Sequence, residues 1–265
     1  MVFTDQLGRN IEIDSFPERI VSLVPSQTEL LFDLGLNERV VGITKFCVHP
    51  QKWFATKQRV GGTKNINIDI IHSLKPDLVL ANKEENVKEQ IELIEKDYPV
   101  WISDVHNLTS ALHMIECIGA LTNKIGEAYT IKKDIERAFS QLAVSVFNPF
   151  TIAYLIWREP YMTVGGDTFI NNMLELCHFR NVFAGEVRYP PITIQQIQDK
   201  KPQLVLLSSE PYPFTEKHIA ELSLQIPHTK FMLVNGEMFS WYGSRLQFAA
   251  NYFKRLQEQV THLFH

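Results

Sequence analysis

The chain has 265 residues, of which 45% are hydrophobic and 21% charged, so it can bury one large core or two cores of ordinary size. Its formal net charge of -4, without a long Lys/Arg run, excludes a typical nucleic-acid-binding protein. No apolar stretch approaches the roughly 20 residues that span a bilayer, so no membrane insertion is expected.

Strands and helices are predicted to alternate through the first half of the chain. A terminal hairpin over residues 3–13, with Gly8 in its turn, comes first. Strand 20–24 follows, and then a helix that a capping box at residues 26–29 opens and Gly35 ends. The remaining elements are strand 40–43, a long loop at 44–65, helix 68–74, strand 78–81, a helix opened by a second capping box at 82–85 and running through residue 96, strand 100–102 and helix 108–121. This alternation is typical of α/β layers around a mainly parallel sheet.

One long amphipathic helix is predicted over residues 123–147. Its apolar residues fall at steps of three and four, and they are Ile125, Ala128, Ile131, Ile135, Phe139, Leu142 and Val146. The second half then repeats the α/β order as strand 151–156, helix 169–176, strand 182–183, helix 193–200, strand 204–207, helix 216–224, strand 231–234 and helix 244–263. We therefore predict an N-terminal α/β lobe at 1–122, a connecting helix at 123–147 and a C-terminal α/β lobe at 148–265.

One segment of the chain occurs twice, at residues 66–80 and again at 192–206. The residues of the first copy that recur at one fixed offset are Ile66, Ile68, Lys75, Pro76, Leu78, Val79 and Leu80, and Glu84 beyond them recurs as Glu210. Each copy predicts a helix closed by Lys-Pro, a buried strand and a polar turn that ends in an acid. A unit that occurs twice indicates two similar lobes, since a solenoid needs about three or more repeats. Two lobes predict a cleft between them, a common position for a ligand.

The candidate ligand contacts lie in the loops at the carboxyl ends of the predicted strands, where open α/β sheets bind ligands. Aromatic rings crowd these loops and could stack on a flat, mostly apolar ligand. The candidates are Phe46, Trp157, Tyr161, Tyr189 and Trp241, together with the polar and charged residues Ser26, Lys45, His49, Lys64, Glu84, Arg188 and Glu210. The alternatives are a core aromatic, a helix cap at Ser26 and solvated surface charges. Arg245 opens the last helix, where the helix dipole disfavours a cation, so we expect it to pair with an acid or with a ligand.

Catalytic and metal-binding motifs are not apparent. Cys47 and His49 are two residues apart, and on an extended strand they would point to opposite faces, which argues against a nucleophile–base pair. The sequence contains no HExxH zinc motif, no GxSxG elbow and no phosphate-binding glycine loop. We therefore predict no catalytic residue, no resident metal and no required cofactor. Cys117 and Cys177 are expected to be small core residues, because the widely spaced cysteines form no disulfide framework.

Several motifs in order resemble a known family. They are Arg-Ile-Val-Ser-Leu-Val-Pro-Ser at 19–26, Thr-Glu at 28–29, Leu-Gly at 34–35, Gly-Gly-Thr-Lys-Asn at 61–65, Leu-Lys-Pro-Asp-Leu-Val at 74–79 and Pro-Tyr-Met-Thr-Val-Gly-Gly at 160–166. The chain resembles the helical-backbone (class III) substrate-binding proteins of ABC importers, in their cobalamin- and iron-siderophore-binding branch. The resemblance implies two Rossmann-like lobes joined by one long helix, a ligand in the cleft and no catalysis.

The resemblance also implies particular contacts and partners. The aromatic positions that pack on a corrin match Phe46, Tyr161 or Met162, and Tyr189. The ligand would be cobalamin, a related corrinoid or a ferric siderophore, bound by a monomer. The two acidic positions that dock the permease of the importer match Asp69, which keeps the charge, and Gln195, which loses one charge-assisted contact.

The compartment and the transport role stay open at this point. The resemblance implies a periplasmic or surface-anchored protein, whereas residues 1–13 contain no apolar core of a signal peptide, which favours the cytoplasm. Two alternatives to an importer component follow. One is a cytoplasmic corrinoid- or metallophore-binding protein without a transporter, and the other is a chelatase-like tetrapyrrole enzyme.

Overall fold

The computed structural model describes residues 1–142 and 149–264, and the chain divides into two compact units. The first unit comprises Met1–Val105, Thr109–Ile135 and Tyr242–Gln247. The second comprises His106–Leu108, Glu136–Trp241 and Phe248–His265. The division therefore assigns a short segment near the C-terminus to the unit that the N-terminal half forms.

The first unit is built around a five-stranded parallel sheet in the order β5-β4-β3-β6-β7. Its strands are β1 (Val2–Thr4), β2 (Asn10–Glu12), β3 (Ile20–Ser22), β4 (Val40–Ile43), β5 (Gln58–Arg59), β6 (Leu78–Asn82) and β7 (Val100–Ser103). Its helices are α1 (Pro25–Asp33), α2 (Gln51–Thr56), α3 (Ile68–Leu74), α4 (Lys88–Ile94) and, for the most part, α5 (Leu108–Leu121). The antiparallel pair β1–β2 confirms the predicted hairpin, and Gly8 adopts a φ of +79° in its turn.

The second unit is built around a four-stranded parallel sheet in the order β10-β8-β12-β13. Its strands are β8 (Phe150–Leu155), β9 (Tyr161–Met162), β10 (Phe179–Asn181), β11 (Pro191–Ile192), β12 (Leu204–Ser208) and β13 (Lys230–Val234). Its helices are α7 (Phe169–Leu176), α8 (Ile194–Lys200), α9 (Glu216–Gln225), α10 (Glu237–Ser240) and, for the most part, α11 (Leu246–Phe264). Two parallel sheets with helices confirm the predicted α/β class.

The long helix predicted in the middle of the chain is α6 (Ile125–Ser140). Its buried residues Ala128, Ile131, Ile135 and Phe139 belong to the predicted apolar stripe, whereas Ile125, the first residue of that stripe, is 65% exposed. The last part of the prediction, residues 143–147, lies outside the described residues. The division between the two units falls inside this helix, after Ile135.

The repeated segment folds in the same way in both copies. Helices α3 and α8 each have seven residues, and the side chains of Asn67 and Thr193 cap them by accepting a hydrogen bond from the third helical N–H. Each helix ends on a lysine in the left-handed conformation, Lys75 at φ 46° and Lys201 at φ 49°, and a proline follows. The strands that come next, β6 and β12, are fully buried and lie inside their sheets. The predicted duplication is therefore confirmed at the level of the backbone.

Both capping boxes predicted in the first half are wrong. Helix α1 begins at Pro25 after Val24, which makes no side-chain cap, so Ser26 lies within the first turn. Proline has no N–H, so it leaves no donor unsatisfied in the first turn, and its fixed φ suits a helix. The helix therefore starts at Pro25, before the start that the capping box predicted. Asn82 ends strand β6, and its side chain accepts from the N–H groups of Glu84 and Glu85 in a turn. Helix α4 starts only at Lys88.

Further departures concern short elements. The predicted loop at 44–65 contains α2 and β5, and the segment between the strand predicted at 151–156 and the helix predicted at 169–176 contains β9. The strand predicted at 182–183 is wrong, because strand β10 ends at Asn181 and residues 182–185 form a turn. Helix α10 was not predicted. Such short segments carry too few residues for a periodic signal, so the sheet and the neighbouring loops decide them.

The cysteines are only partly core residues. Cys47 and Cys177 are buried, whereas Cys117 is half-buried, with its sulfur 3.5 Å from Nε2 of His113. The prediction for Cys117 is therefore wrong in degree. No helix within residues 1–142 and 149–264 combines the length and the apolar character that a bilayer crossing requires.

Candidate functional site

A buried hydroxyl–thiol network underlies the carboxyl ends of β3 and β4 in the first unit. The Thr28 hydroxyl donates to Oγ of Ser22 at 2.8 Å and lies 3.1 Å from the sulfur of Cys47, which is 3.2 Å from Oγ1 of Thr44. Burial raises the pKa of the Cys47 thiol, which disfavours the thiolate form of this sulfur. The network ties helix α1 to the loop that carries Lys45 and Phe46.

Phe46 is the exposed aromatic residue of this loop. Half of its surface (50%) is accessible, and Nζ of Lys45 lies 5.1 Å from the centre of its ring. A Cβ on Gly62 would lie 3.2 Å from Phe46, so the glycine lets the neighbouring loop come close. The predicted contacts Lys45 and Phe46 therefore lie together on an exposed edge, and His49 follows on the same loop.

The loop after β6 is fixed by amide side chains. Asn86 donates to the carbonyl of Thr63 at 3.0 Å, and Asn82 donates to Oγ of Ser103 at 3.0 Å. The ammonium of Lys64 donates to the backbone carbonyl of Glu84. These contacts bring the predicted residues Lys64 and Glu84 together at the strand ends of the first unit.

The segment Tyr242–Gln247 packs on this same unit. The Tyr242 hydroxyl donates to Oε1 of Glu85 at 2.6 Å, and a Cβ on Gly243 would lie 2.4 Å from the carbonyl oxygen of Ser26. Burial raises the pKa of Tyr242 well above its ordinary value, and the negative charge of Glu85 adds to the shift. Ser26 itself is buried, so its hydroxyl lies beneath this segment.

Arg245 forms a bidentate ion pair with Glu29 of α1. Its Nη2 and Nε lie 2.6 Å and 2.8 Å from the two carboxylate oxygens. Burial raises the pKa of Glu29, and the hydrogen bond from Arg245 opposes that shift. The expectation that Arg245 pairs with an acid is confirmed, although the residue lies immediately before α11 and not inside it.

An aromatic cluster lies at the end of β8 in the second unit. Trp157 is 40% exposed, and its ring meets that of Tyr212 edge-on, with the centroids 5.8 Å apart. Strand β9 is held against Trp157, because the N–H of Met162 donates to the carbonyl of Trp157 at 3.1 Å. Tyr161 and Met162 are both half-buried on this strand. Three predicted contacts are thus adjacent within this unit.

A depression of about 540 Å³ lies at the ends of β12 and β13. Glu210 and Glu237 give it an acidic lining, and Phe214 and Leu233 give it an apolar one. One carboxylate oxygen of Glu210 accepts from the Ser240 hydroxyl at 2.5 Å and from Nε1 of Trp241 at 3.1 Å. The predicted residues Glu210 and Trp241 are therefore in direct contact, and Trp241 is only 6% exposed.

Arg188 and Tyr189 lie in the loop that precedes β11. Arg188 is exposed with a φ of 61°, and its N–H donates to a carboxylate oxygen of Asp167 at 2.6 Å. Tyr189 is half-buried. This loop pairs with residues 163–166, since the N–H of Gly165 donates to the carbonyl of Arg188 at 2.7 Å.

The two positions matched to permease docking occupy equivalent places in the repeat. Asp69 and Gln195 are both the second residue of a helix, α3 or α8, and both are exposed. The side-chain amide of Gln195 donates to Oδ1 of Asp199 one turn further on, at 2.9 Å. A carboxylate therefore lies at or beside both positions. In α3 it belongs to Asp69 itself, and in α8 it belongs to Asp199, the partner of Gln195.

No three His, Cys, Asp or Glu side chains within residues 1–142 and 149–264 are placed to hold a metal ion together. The predicted cleft between the two halves stays a prediction. The sequence did not predict the contacts of Tyr242, Tyr212 and His218, because these contacts depend on the tertiary structure. One signal was present, because Thr215 and His218 stand in capping-box spacing with histidine in place of glutamate or glutamine.

The chain belongs to the periplasmic binding protein family, whose model matches residues 20–225. Members of this class bind substrates, and the family resemblance expected from the sequence is confirmed.

Particular relatives support this assignment. The chain is 28% identical over 213 residues to an uncharacterized ABC transporter substrate-binding lipoprotein, YvrC, of Bacillus subtilis, covering 76% of this chain and 67% of that one. It is 28% identical over 200 residues to the vitamin B12-binding protein of Vibrio cholerae, covering 73% and 71%. Among solved structures, the molybdate-bound periplasmic binding protein MolA of Haemophilus influenzae shares the fold, with a TM-score of 0.82, 17% identity and coverage of 99% and 92%.

These relatives establish a class and leave the ligand open. Their names span vitamin B12 and molybdate, which differ in size, charge and shape. YvrC is a substrate-binding lipoprotein, and MolA is a periplasmic binding protein. A substrate-binding role for this chain is therefore supported.

Proposed function

We propose that this protein captures a corrinoid, such as cobalamin or cobinamide, for an ABC importer. The observation that carries the proposal is an exposed aromatic ring at the strand ends of each unit. Phe46 is 50% exposed and Trp157 is 40% exposed, whereas the other tryptophans of the chain are buried. Large exposed rings beside polar loops are suited to pack on a flat macrocycle.

The charges of the second unit support a corrinoid over haem or an oxyanion. Glu210 and Glu237 line the depression at the ends of β12 and β13. Two carboxylates repel haem propionates and molybdate, whereas a corrin carries amide side chains whose N–H groups can donate to a carboxylate. The apolar lining by Phe214 and Leu233 suits the rim of such a macrocycle.

Ligand screening by thermal unfolding tests the proposal. A ligand that binds only the folded protein raises Tm with its concentration. We expect cobalamin and dicyanocobinamide to raise Tm, and haemin, ferric siderophores and molybdate to leave it unchanged. A concentration-dependent shift with haemin or molybdate alone, or no shift with any compound, would refute a corrinoid ligand.

Two aromatic variants then locate the contacts. Phe46→Ala and Trp157→Ala should each weaken dicyanocobinamide binding by about tenfold, the loss of roughly 1.4 kcal/mol of stacking and burial. Leu224→Ala is the matched control, because Leu224 is an apolar residue that is 86% exposed on α9. Isothermal titration calorimetry measures the three affinities. Equal values for all three variants would show that Phe46 and Trp157 do not contact the ligand.

The transport role rests on α3 and α8. Asp69 is exposed in the first turn of α3, while Gln195 takes the equivalent place in α8. A charge-assisted contact to a permease arginine is stronger than a neutral one. We expect Asp69→Asn to lower, and Gln195→Glu to raise, uptake of labelled cobalamin in cells that express this protein with its importer. Uptake that neither substitution changes would argue for a binding protein without a transporter.

A further inference from the structure

Two side-chain amides hold the loop of residues 62–65, which we call the amide loop, by its carbonyl groups. Asn86 donates to the carbonyl of Thr63 at 3.0 Å, and Gln90 donates to the carbonyl of Lys64 at 3.2 Å. The oxygen of the same Gln90 amide accepts from the N–H of Ile66 at 2.8 Å. These bonds fix the orientation of the peptide groups at the tip of the loop.

The amide loop leaves three consecutive backbone N–H groups without a protein acceptor. Within the part of the chain that the structure describes, the N–H groups of Thr63, Lys64 and Asn65 donate to no other group. In a trans peptide bond the N–H points opposite to the carbonyl that precedes it, so the N–H groups of Lys64 and Asn65 point away from the two amides. Both residues are exposed. Successive N–H groups in a turn can bind an anion.

Two ammonium groups accompany these donors. Lys64 belongs to the amide loop, and its Nζ donates to the backbone carbonyl of Glu84. The stem of Lys45 packs against the loop, since a Cβ on Gly62 would lie 3.3 Å from its Cε. The Nζ of Lys45 lies 5.1 Å from the ring centre of Phe46. Donors, cations and the exposed aromatic ring therefore meet at one edge of the first unit.

These two lysines have no acidic partner among residues 1–142 and 149–264. By contrast, Lys83 on the next loop pairs with Asp104 at 2.7 Å. The carboxylate of Glu85, on that same loop, accepts from the Tyr242 hydroxyl at 2.6 Å. An anionic group of a ligand would supply the counterion that the two lysines lack, in charge-assisted hydrogen bonds.

We propose that the amide loop and the ammonium of Lys45 bind the phosphodiester of a complete corrinoid. Cobalamin carries this group in its nucleotide tail, whereas cobinamide has neither the nucleotide nor its phosphate. Inorganic phosphate and molybdate lack a macrocycle that packs on Phe46, so they gain these polar contacts alone and bind weakly. The inference rests on the proposed function and narrows the ligand to a corrinoid that retains its nucleotide.

Paired titrations with cyanocobalamin and dicyanocobinamide isolate the phosphate contact. Cyanocobalamin should bind about tenfold more tightly, the equivalent of about 1.4 kcal/mol. Lys45→Gln and Lys64→Gln should each weaken cyanocobalamin binding about threefold and leave the Kd for dicyanocobinamide unchanged. Lys88→Gln is the matched control, because Lys88 is an exposed lysine of α4 that already pairs with Glu92 at 3.6 Å. It should keep both Kd values.

NMR spectroscopy of ¹⁵N-labelled protein tests the backbone donors. The amide signals of Thr63, Lys64 and Asn65 should shift when cyanocobalamin is added and should move much less with dicyanocobinamide. Inorganic phosphate, added alone, is the third arm. Shifts of these signals with phosphate and none with cyanocobalamin would show that the loop binds a free anion and would overturn the phosphodiester contact.

The titrations separate this inference from the proposed function. Equal Kd values for the two corrinoids, or lysine variants that leave cyanocobalamin binding unchanged, would overturn the phosphate contact and leave a corrinoid ligand standing. Losses of the same size with both corrinoids would show that the lysines act through Phe46, which also overturns it. If neither corrinoid binds, the proposed function is wrong, and the phosphodiester contact fails with it.

Discussion

In α3–β6 and in α8–β12 the same local signals build the same helix, turn and strand, and the loops that follow are held in different ways. After β6, Asn82 organises the turn and Glu85 accepts from the Tyr242 hydroxyl within the first unit. After β12, Glu210 accepts from Ser240 and from Trp241 within the second unit. Glu84 and Glu210 have the same place in the repeat, yet Lys64 contacts the first through its backbone carbonyl. The loops after the two buried strands have therefore diverged in their contacts, while the helix caps and the buried strands of the repeat are the same.

The largest effect is expected at the second of these loops. Glu210→Ala should lower the free energy of unfolding by about 1–3 kcal/mol, because the Nε1–H of the buried Trp241 loses its acceptor. Glu210→Gln keeps an oxygen at the same place and should cost less. Chemical denaturation measures both variants. Equal losses for alanine and glutamine would show that Trp241 does not depend on this oxygen.

The corresponding contact in the first unit should show itself at high pH. Tyr242 has a pKa raised well above 10.0 in the folded protein, so the native state keeps a proton that the unfolded chain loses. Stability from this group is present below pH about 10 and is lost as the pH rises further. Tyr242→Phe should cost about 1 kcal/mol at pH 7 and weaken this alkaline loss.

The alkaline experiment needs a control, because burial raises the pKa of Tyr154 as well. Tyr129→Phe removes a hydroxyl from a ring that is 58% exposed on α6 and should leave the pH profile of unfolding unchanged. If Tyr242→Phe and the wild type lose stability in parallel above pH 10, the Tyr242–Glu85 contact does not hold the loop after β6.

The two helix caps compare the copies directly. Asn67→Ala and Thr193→Ala should each cost about 1 kcal/mol, since each leaves one helical N–H without an acceptor. Thr193 also faces Gln196 in a reciprocal capping box, so we expect its loss to be the larger of the two. The midpoints of urea unfolding will rank them. A larger loss at Asn67 would mean that the second helix depends less on its cap than on its packing.

The smallest effect should be a gain. Lys75 and Lys201 both adopt the left-handed conformation, which a side chain disfavours and glycine accepts freely. Lys75→Gly and Lys201→Gly are each expected to stabilise the protein by up to about 1 kcal/mol. Lys200→Gly, inside α8, should instead destabilise it by a similar amount. A loss at Lys75 or Lys201 would reveal that the lysine side chain, and not the backbone, maintains the turn.

Local patterns predicted the elements whose signals lie within a few residues. Helices α3, α5 and α7 begin and end where their apolar spacing and caps indicate, and strand β4 has its predicted bounds. The capping box at residues 26–29 misled because Pro25 can start a helix by itself. Strand β10 was misplaced because the apolar residues Val182 and Phe183 belong to a turn beyond it, and a two-residue run contains no periodicity.

For the candidate site, the sequence identified individual residues but did not show which of them contact one another. The strand-end rule selected Phe46, Trp157 and Glu210 as candidates, and their contact with a ligand stays a prediction. The support of Trp157 by Tyr212, and of Tyr212 by His218, was not visible, because edge-on ring contacts leave no spacing pattern in the chain.

The sequence alone therefore determined the α/β alternation, the duplicated helix–strand segment and the family, because caps, apolar periodicity and turn residues act over neighbouring positions. The tertiary structure decided how the loops at the strand ends are held. Tyr242 reaches Glu85 across 157 positions and Trp241 reaches Glu210 across 31. Which partner a buried hydroxyl or indole finds at such separations depends on the packing of whole elements, and no local pattern records it.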